Sequence, residues 1–312
     1  MVRIIVAIMC LLALSGLWAD KYAGEIFRID PGVRNNALGG CGIADPNTFA
    51  PAYWNPALLA LNNENRIELM HAEEFMGLLR YDTVSGVYKG VALTLLRIGI
   101  DDVPLTRKAI PGEPLSNTNR PYAYDSVTNA DYIIYAGLHR KIGRVNVGFT
   151  PKLAYRNLVK ENGFGFGLDI ATFFEIHSHV LLAARLRDVT TTQVFWQNGT
   201  HETVNPGLDV ETRLHFVLPW ISKDLFLFSG IETYTEGREE AATTSLGFLS
   251  LDYHAGLEFV VNKGLSLYGG YNISDITAGL TLTVSRFNLN YNFEQNTELD
   301  NSHRFSIGVK LP

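Results

Sequence analysis

Apolar and polar residues alternate one by one over most of the chain. Leu249, Leu251, Tyr253, Ala255, Leu257 and Phe259 alternate with Ser250, Asp252, His254, Gly256 and Glu258. Phe287, Leu289, Tyr291 and Phe293 alternate with Asn288, Asn290 and Asn292, and Phe305, Ile307, Val309 and Leu311 with Arg304, Ser306, Gly308 and Lys310. Successive side chains of a strand point to opposite faces, so each run predicts a strand with one greasy and one polar face. No helical stripe of useful length competes. The same reading upstream places strand starts near Asn65, Leu78, Val91, Asn129, Arg144, Gly163, Val180, Gly207, Lys223, Leu246, Gly264, Ile276, Arg286 and Ser302. That is about 14 strands of roughly ten residues, the length expected of a transmembrane β-barrel.

Loop lengths carry independent information. Even-to-odd connections are tight, as at Lys89-Gly90, Ile142-Gly143, His177-Ser178 and Asn262-Lys263, whereas odd-to-even ones include Asp101 to Thr128 and Asp188 to Pro206. Outer-membrane barrels have short periplasmic turns and longer outer loops. Ser274-Asp275 breaks the parity by being tight where an outer loop is expected. Charged residues keep to the polar face, which marks it as the inside. Arg97 departs from this by sharing a face with Val91, Leu93 and Leu95, and its place beside a long loop predicts snorkelling to the interface. A soluble β-sandwich would alternate as well, but would need neither the loop parity nor a low charge content.

Before the strands, Asn36 to Leu61 reads NALGGCGIADPNTFAPAYWNPALLAL. Glycines permit backbone conformations closed to other residues, and Asp-Pro and Asn-Pro start turns. The stretch is compact, irregular and almost uncharged, so it suits a segment folded inside something else. Ala37 to Gly40, Asp45 and Trp54 to Ala57 resemble the N-terminal signature of PorV/PorQ-like outer-membrane proteins, relatives of the FadL fatty-acid transporter barrels, and His71 to Gly90 resembles the first hairpin of that family. The resemblance covers roughly Asn36 to Gly90. It implies an N-terminal plug in a barrel of about 14 strands, with Gly39, Gly40, Asp45, Trp54, Asn55, Pro56 and Ala57 as the plug motif. It also implies a role in type IX-like protein secretion or surface attachment, with secreted cargo or secretion-system proteins as partners. Alternatively, it implies a FadL-like channel with a hydrophobic ligand such as a long-chain fatty acid.

Of the 312 residues, 46% are hydrophobic and only 19% charged, which leaves much of the surface to face a lipid bilayer. The net charge of −6 and the lack of basic blocks give no sign of nucleic acid. Arg3, the apolar run Ile4 to Leu14 and the region Ser15 to Ala19 form a secretory signal, with cleavage expected after Ala19. The expected organisation is therefore a signal peptide at 1–19, a plug segment at 20–64 and an outer-membrane barrel at 65–312, reached by Sec export. Cys10 lies in the signal, so Cys41 is the one mature cysteine and no internal disulfide can form. The last residues, Leu311-Pro312, lack the aromatic ending common in such barrels.

Several short patterns bear on possible chemistry. His177-Ser178-His179 offers two imidazoles on one strand face, but it sits at a predicted turn with no Cys or carboxylate at matching spacing, which favours an exposed turn over a metal site. HAEEF at His71 is not a zincin motif, and GFGFG at Gly163 opens no helix. A secreted carbohydrate-binding β-protein is the non-membrane alternative. No catalytic residue, cofactor or metal is expected. The polar face carries Lys152, Arg156, Arg185, Arg187, Asp209, Glu211, Arg213, Asp252, Glu258, Arg304 and Lys310, which predicts a charge network filling a plugged lumen rather than a permeation path.

Overall fold

The computed structural model describes residues 24–312 except 160, 236, 239–241 and 297–299. The signal at 1–19, its cleavage site and Cys10 lie outside the described residues. The strands are β1 (Arg66–Glu74), β2 (Leu79–Tyr88), β3 (Val91–Lys108), β4 (Pro121–Ile142), β5 (Val145–Leu158), β6 (Glu161–His177), β7 (Val180–Arg187), β8 (Thr192–Trp196) and β9 (His201–Val204). There follow β10 (Gly207–Leu218), β11 (Lys223–Tyr234), β12 (Thr244–Leu246), β13 (Leu249–Asn262), β14 (Leu265–Asn272), β15 (Asp275–Val284), β16 (Phe287–Gln295) and β17 (Ser302–Lys310).

Fourteen of them close a ring. Each of β1 to β6 pairs antiparallel with the next, β7 pairs with β10, β10 with β11, β11 with β13, and the run continues to β17. The last strand then returns to the first, with Arg66 opposite Lys310 and Glu73 opposite His303. Closure leaves no sheet edge with unpaired backbone groups, as lipid requires. The strands β8, β9 and β12 belong to outer connections, paired onto β6 and β13.

Twelve of the 14 predicted starts fall within two residues of the observed ones; the exceptions are β4, by eight residues, and β13, by three. The largest difference is at β3 and β4. Rather than ending near Asp101, the pair continues as a ribbon to Lys108 and back from Pro121, with register shifts after Ile100 and Leu105. Bulges there interrupt the alternation on which the sequence reading relied, so the ribbon read as loop. The connection between β14 and β15 is indeed tight, with Ile273 in the left-handed region at φ 57°. Arg97 points outward and, instead of reaching only for solvent, faces Asp101 at 3.5 Å and Asp82 at 3.7 Å.

Exposure follows the alternation. Leu93 and Leu95, Ile134, Leu153, Phe164 and Phe166, Leu257, Leu267, Leu280, Leu289 and Ile307 are exposed on the outside, while their sequence neighbours are covered. Inside, the two halves differ. Leu96, Ile98, Ile133, Tyr135, Ala154, Phe173 and Leu181, from β3 to β7, form one apolar cluster with Ile26, Phe27, Val33, Tyr53 and Trp54. From β10 to β17 the buried inward residues include Asp209, Glu211, Asp252, Glu258, Asn290, Asn292, Glu294 and Arg304. Among the described residues no helix is long and apolar enough to cross a membrane.

Candidate functional site

The segment before β1 lies inside the ring. It contains 3-10 turns at Glu25–Arg28 and Pro56–Ala60 and short helices at Val33–Ala37 and Pro51–Trp54. Runs this short do not persist alone in water; here the wall supplies what holds them.

Gly39 and Gly40 end the first helix with φ of 68° and 79°, a left-handed stop that glycine adopts without a Cβ clash. They also touch the wall. A Cβ on Gly39 would stand 2.4 Å from the Ala255 carbonyl oxygen, and one on Gly40 2.9 Å from the His254 ring. The wall is hollowed to match: a Cβ on Gly270 would stand 2.2 Å from the Gly39 nitrogen, and one on Gly256 2.4 Å from the Leu38 oxygen. The His254 Nδ1 meets the Gly39 carbonyl oxygen at 3.0 Å.

Asp45 accepts from Arg34 Nε at 2.7 Å and from the Asn47 amide at 3.1 Å. Arg34 also donates to both Glu258 oxygens, at 2.9 and 2.7 Å, and to the Tyr268 hydroxyl at 2.7 Å. One guanidinium thus ties the segment to itself and to β13 and β14. Burial works to raise the Asp45 carboxyl, but the Arg34 charge and hydrogen bond, with the Arg213 charge and the Asn47 amide, together hold the group below the usual range. Glu211, from β10, accepts three consecutive segment amides: Gly42 at 2.9 Å, Ile43 at 3.1 Å and Ala44 at 2.9 Å.

At the other end of the segment, Asn55 donates from Nδ2 to the Ile43 oxygen at 2.9 Å and to the Thr172 oxygen of β6 at 3.3 Å. Its Oδ1 accepts the Ala57 amide at 3.0 Å and so caps the Pro56–Ala60 turn. Pro56 and Ala57 sit against two wall glycines; a Cβ on Gly148 would stand 2.4 Å from the Ala57 nitrogen, and one on Gly137 3.1 Å from the Pro56 Cβ. Trp54 is fully buried over Gly42, and its Nε1 donates to the Pro31 oxygen at 3.0 Å. Cys41 is a buried free thiol, its pKa raised above the usual value by burial first.

The charges that the sequence assigned to the inner face are nearly all neutralised. Lys152 lies 2.9 Å from Asp169 and 2.7 Å from Asp188; Arg185 and Arg187 reach Asp209 at 2.9 and 2.7 Å. Arg156 pairs with Asp131 at 3.1 Å, Arg238 with Asp252 at 2.8 Å, and Arg304 with Glu74 and Glu294. Lys310 departs from the expectation: it is exposed at the short-turn mouth, 2.8 Å from Glu64. Sequence reasoning missed Arg34, Asp30 and the wall glycines. Nothing in the sequence of an isolated strand says which of its glycines faces another backbone.

The arrangement resembles known barrels. The toluene transporter TbuX of Ralstonia pickettii superposes with a TM-score of 0.57 at 10% identity, over 91% of this chain and 99% of that one. In fold the chain is a closed 14-stranded antiparallel β-barrel like that one. A TodX deltaS2S3 mutant, a monoaromatic hydrocarbon channel, gives 0.51 at 10% identity over 90% and 99% of the two chains. CymD, also a monoaromatic hydrocarbon channel, gives 0.50 at 9% identity over 90% and 97%. No protein-family model and no curated protein matches the sequence. The narrower PorV/PorQ resemblance therefore gains no support beyond the residues that suggested it.

Proposed function

We propose that the chain is an outer-membrane channel for small hydrophobic molecules, with the segment before β1 as its plug. The observation that carries this reading is the lengthwise division of the lumen. On the β3–β7 side the plug meets the wall through Tyr53, Trp54, Leu96, Ile98, Ile133 and Tyr135, all buried and apolar or aromatic. On the other side it is held by Arg34, Glu258 and Glu211. Apolar contacts are non-directional and tolerate sliding, whereas buried ion pairs resist separation. A hydrophobic solute would pass along the apolar stretch of β3 and β4, while Arg34 and Glu211 on one side and Thr150, Thr172 and Arg185 on the other keep the plug tethered. Solved barrels of the same fold are described as toluene and monoaromatic hydrocarbon channels, which points the same way. Sec export and outer-membrane placement belong to this proposal.

Uptake of labelled toluene and of a long-chain fatty acid by cells carrying the barrel tests it. Expected is uptake above that of cells without the protein, cut by Ile98→Asn and Ile133→Asn. Uptake equal to the control for both solutes would remove the channel reading.

The secretion reading, with PorV/PorQ-like attachment of cargo, has one observation of its own. The β3–β4 ribbon projects outward with Ile110, Leu115, Tyr122 and Tyr124 exposed. It predicts a secreted protein co-purifying from native membranes and lost on trimming the ribbon.

A further inference from the structure

At the short-turn mouth a cavity of about 580 Å³ opens beneath the plug, between the turn His177–His179, the lead-in Asn62–Glu64 and the inward ends of β7 and β10. Arg213, His215, His179 and His177 line it, and Phe226 lies behind Arg213 and His215 to complete a ladder of flat groups. The Arg213 guanidinium lies 4.3 Å from the Phe226 ring centre, Phe226 stacks on His215 at 4.5 Å and 18°, His215 meets His179 tilted, at 5.4 Å and 45°, and His179 stacks on His177 at 5.6 Å and 26°. Sequence order hides this set, because His215 comes 36 residues after His179 and only the pairing of β7 with β10 joins them. His215 is oriented by Asp224 at 2.8 Å.

Arg213 and Arg66 are exceptions to the neutralised lumen, but Arg66 donates to the Asn62 side chain and the Thr48 carbonyl instead. Arg34, Arg156, Arg185, Arg187, Arg238 and Arg304 each pair with a carboxylate. Among the described residues none pairs with Arg213, and its Nε is buried without a hydrogen-bond partner. Two carboxylates reach this mouth besides Asp224: Glu64, tied to Lys310, and Glu175 at the rim.

We infer that this cavity is a binding site for a planar organic anion, an aromatic ring bearing a carboxylate. The carboxylate would take the bidentate fork of Arg213, the strongest match for a planar donor pair. The ring would lie along the imidazole ladder, as stacked aromatic groups prefer. This deepens the channel reading by naming a solute class at the exit end, and rests on it for the direction of travel only. Binding itself does not depend on transport.

The test is calorimetric titration of the full chain in detergent, with a chelator present so that metals on the imidazoles play no part. Benzoate should bind saturably at one site, cyclohexanecarboxylate more weakly, and toluene without a saturable signal. Arg213→Met keeps the stem packed on Phe226 and should weaken benzoate by roughly tenfold or more, the loss expected of a charge-assisted pair. Glu175→Gln, at an exposed position away from the fold's core, should tighten it. Equal binding of the two acids, equal binding by wild type and Arg213→Met, or no binding overturns the site. Absent uptake of both toluene and the fatty acid with benzoate binding intact would sink the channel reading alone.

Discussion

At the scale of single residues, the segment from Gly39 to Ala57 is held largely through backbone. Asn55 uses three hydrogen bonds to hold one turn against β6. Asn55→Ala removes them all and leaves buried partners, so a loss of about 1–3 kcal/mol is expected in detergent unfolding. Gly148→Ala places a methyl 2.4 Å from the Ala57 nitrogen and should cost about 1–3 kcal/mol by overpacking, visible as a lowered temperature of heat-modifiable migration. Gly90, with nothing within 4 Å of an added Cβ, touches neither plug nor wall, though its φ of 78° makes it a turn glycine rather than a neutral control. Asp30 supplies a pH prediction. Its carboxyl accepts from the Tyr53 hydroxyl at 2.9 Å, and burial first, then the Glu232 carboxylate, push it up to about 7 from 3.8. The folded protein therefore holds this proton more tightly than the unfolded chain, so stability falls as pH rises from about 4 to about 7. Asp30→Asn should match wild type at pH 4 and exceed it at pH 8 in unfolding midpoint; the opposite order would refute the assignment.

At the scale of elements, the segment and the wall are complementary surfaces. Short helices that would not form alone are held by Arg34 and by the Glu211 carboxylate beneath three amides. Arg34→Ala strands Asp45 and Glu258 as buried unpaired carboxylates, a change that costs about 3–5 kcal/mol when one partner of a buried pair is removed. Limited proteolysis is the readout: cleavage before β1 should quicken while the barrel survives. Strand existence was legible in the sequence because alternation is imposed by the strand backbone itself. Two features of these elements were not. The β3–β4 ribbon was hidden by its bulges. The fit of Pro56-Ala57 to Gly137 and Gly148 was hidden because complementarity between distant backbones leaves no local pattern.

For the whole molecule, a closed ring with a filled lumen should conduct little. In planar bilayers the intact barrel is expected to show small or no steps, and a variant lacking residues 24–61 large ones. Similar conductance for both would mean that the segment does not block the lumen. The sequence by itself determined the all-β architecture, the number of barrel strands, the face on which most charges lie and the turn-forming character of Asn36 to Leu61. Each follows from short-range rules: a two-residue period, turn chemistry, and the cost of a charge in lipid. The tertiary structure alone decided which charge neutralises which, where glycines let the segment approach, and that His177, His179, His215, Phe226 and Arg213 form one ladder. Those relations join residues far apart in sequence, and strand pairing around a closed ring is what brings them within reach.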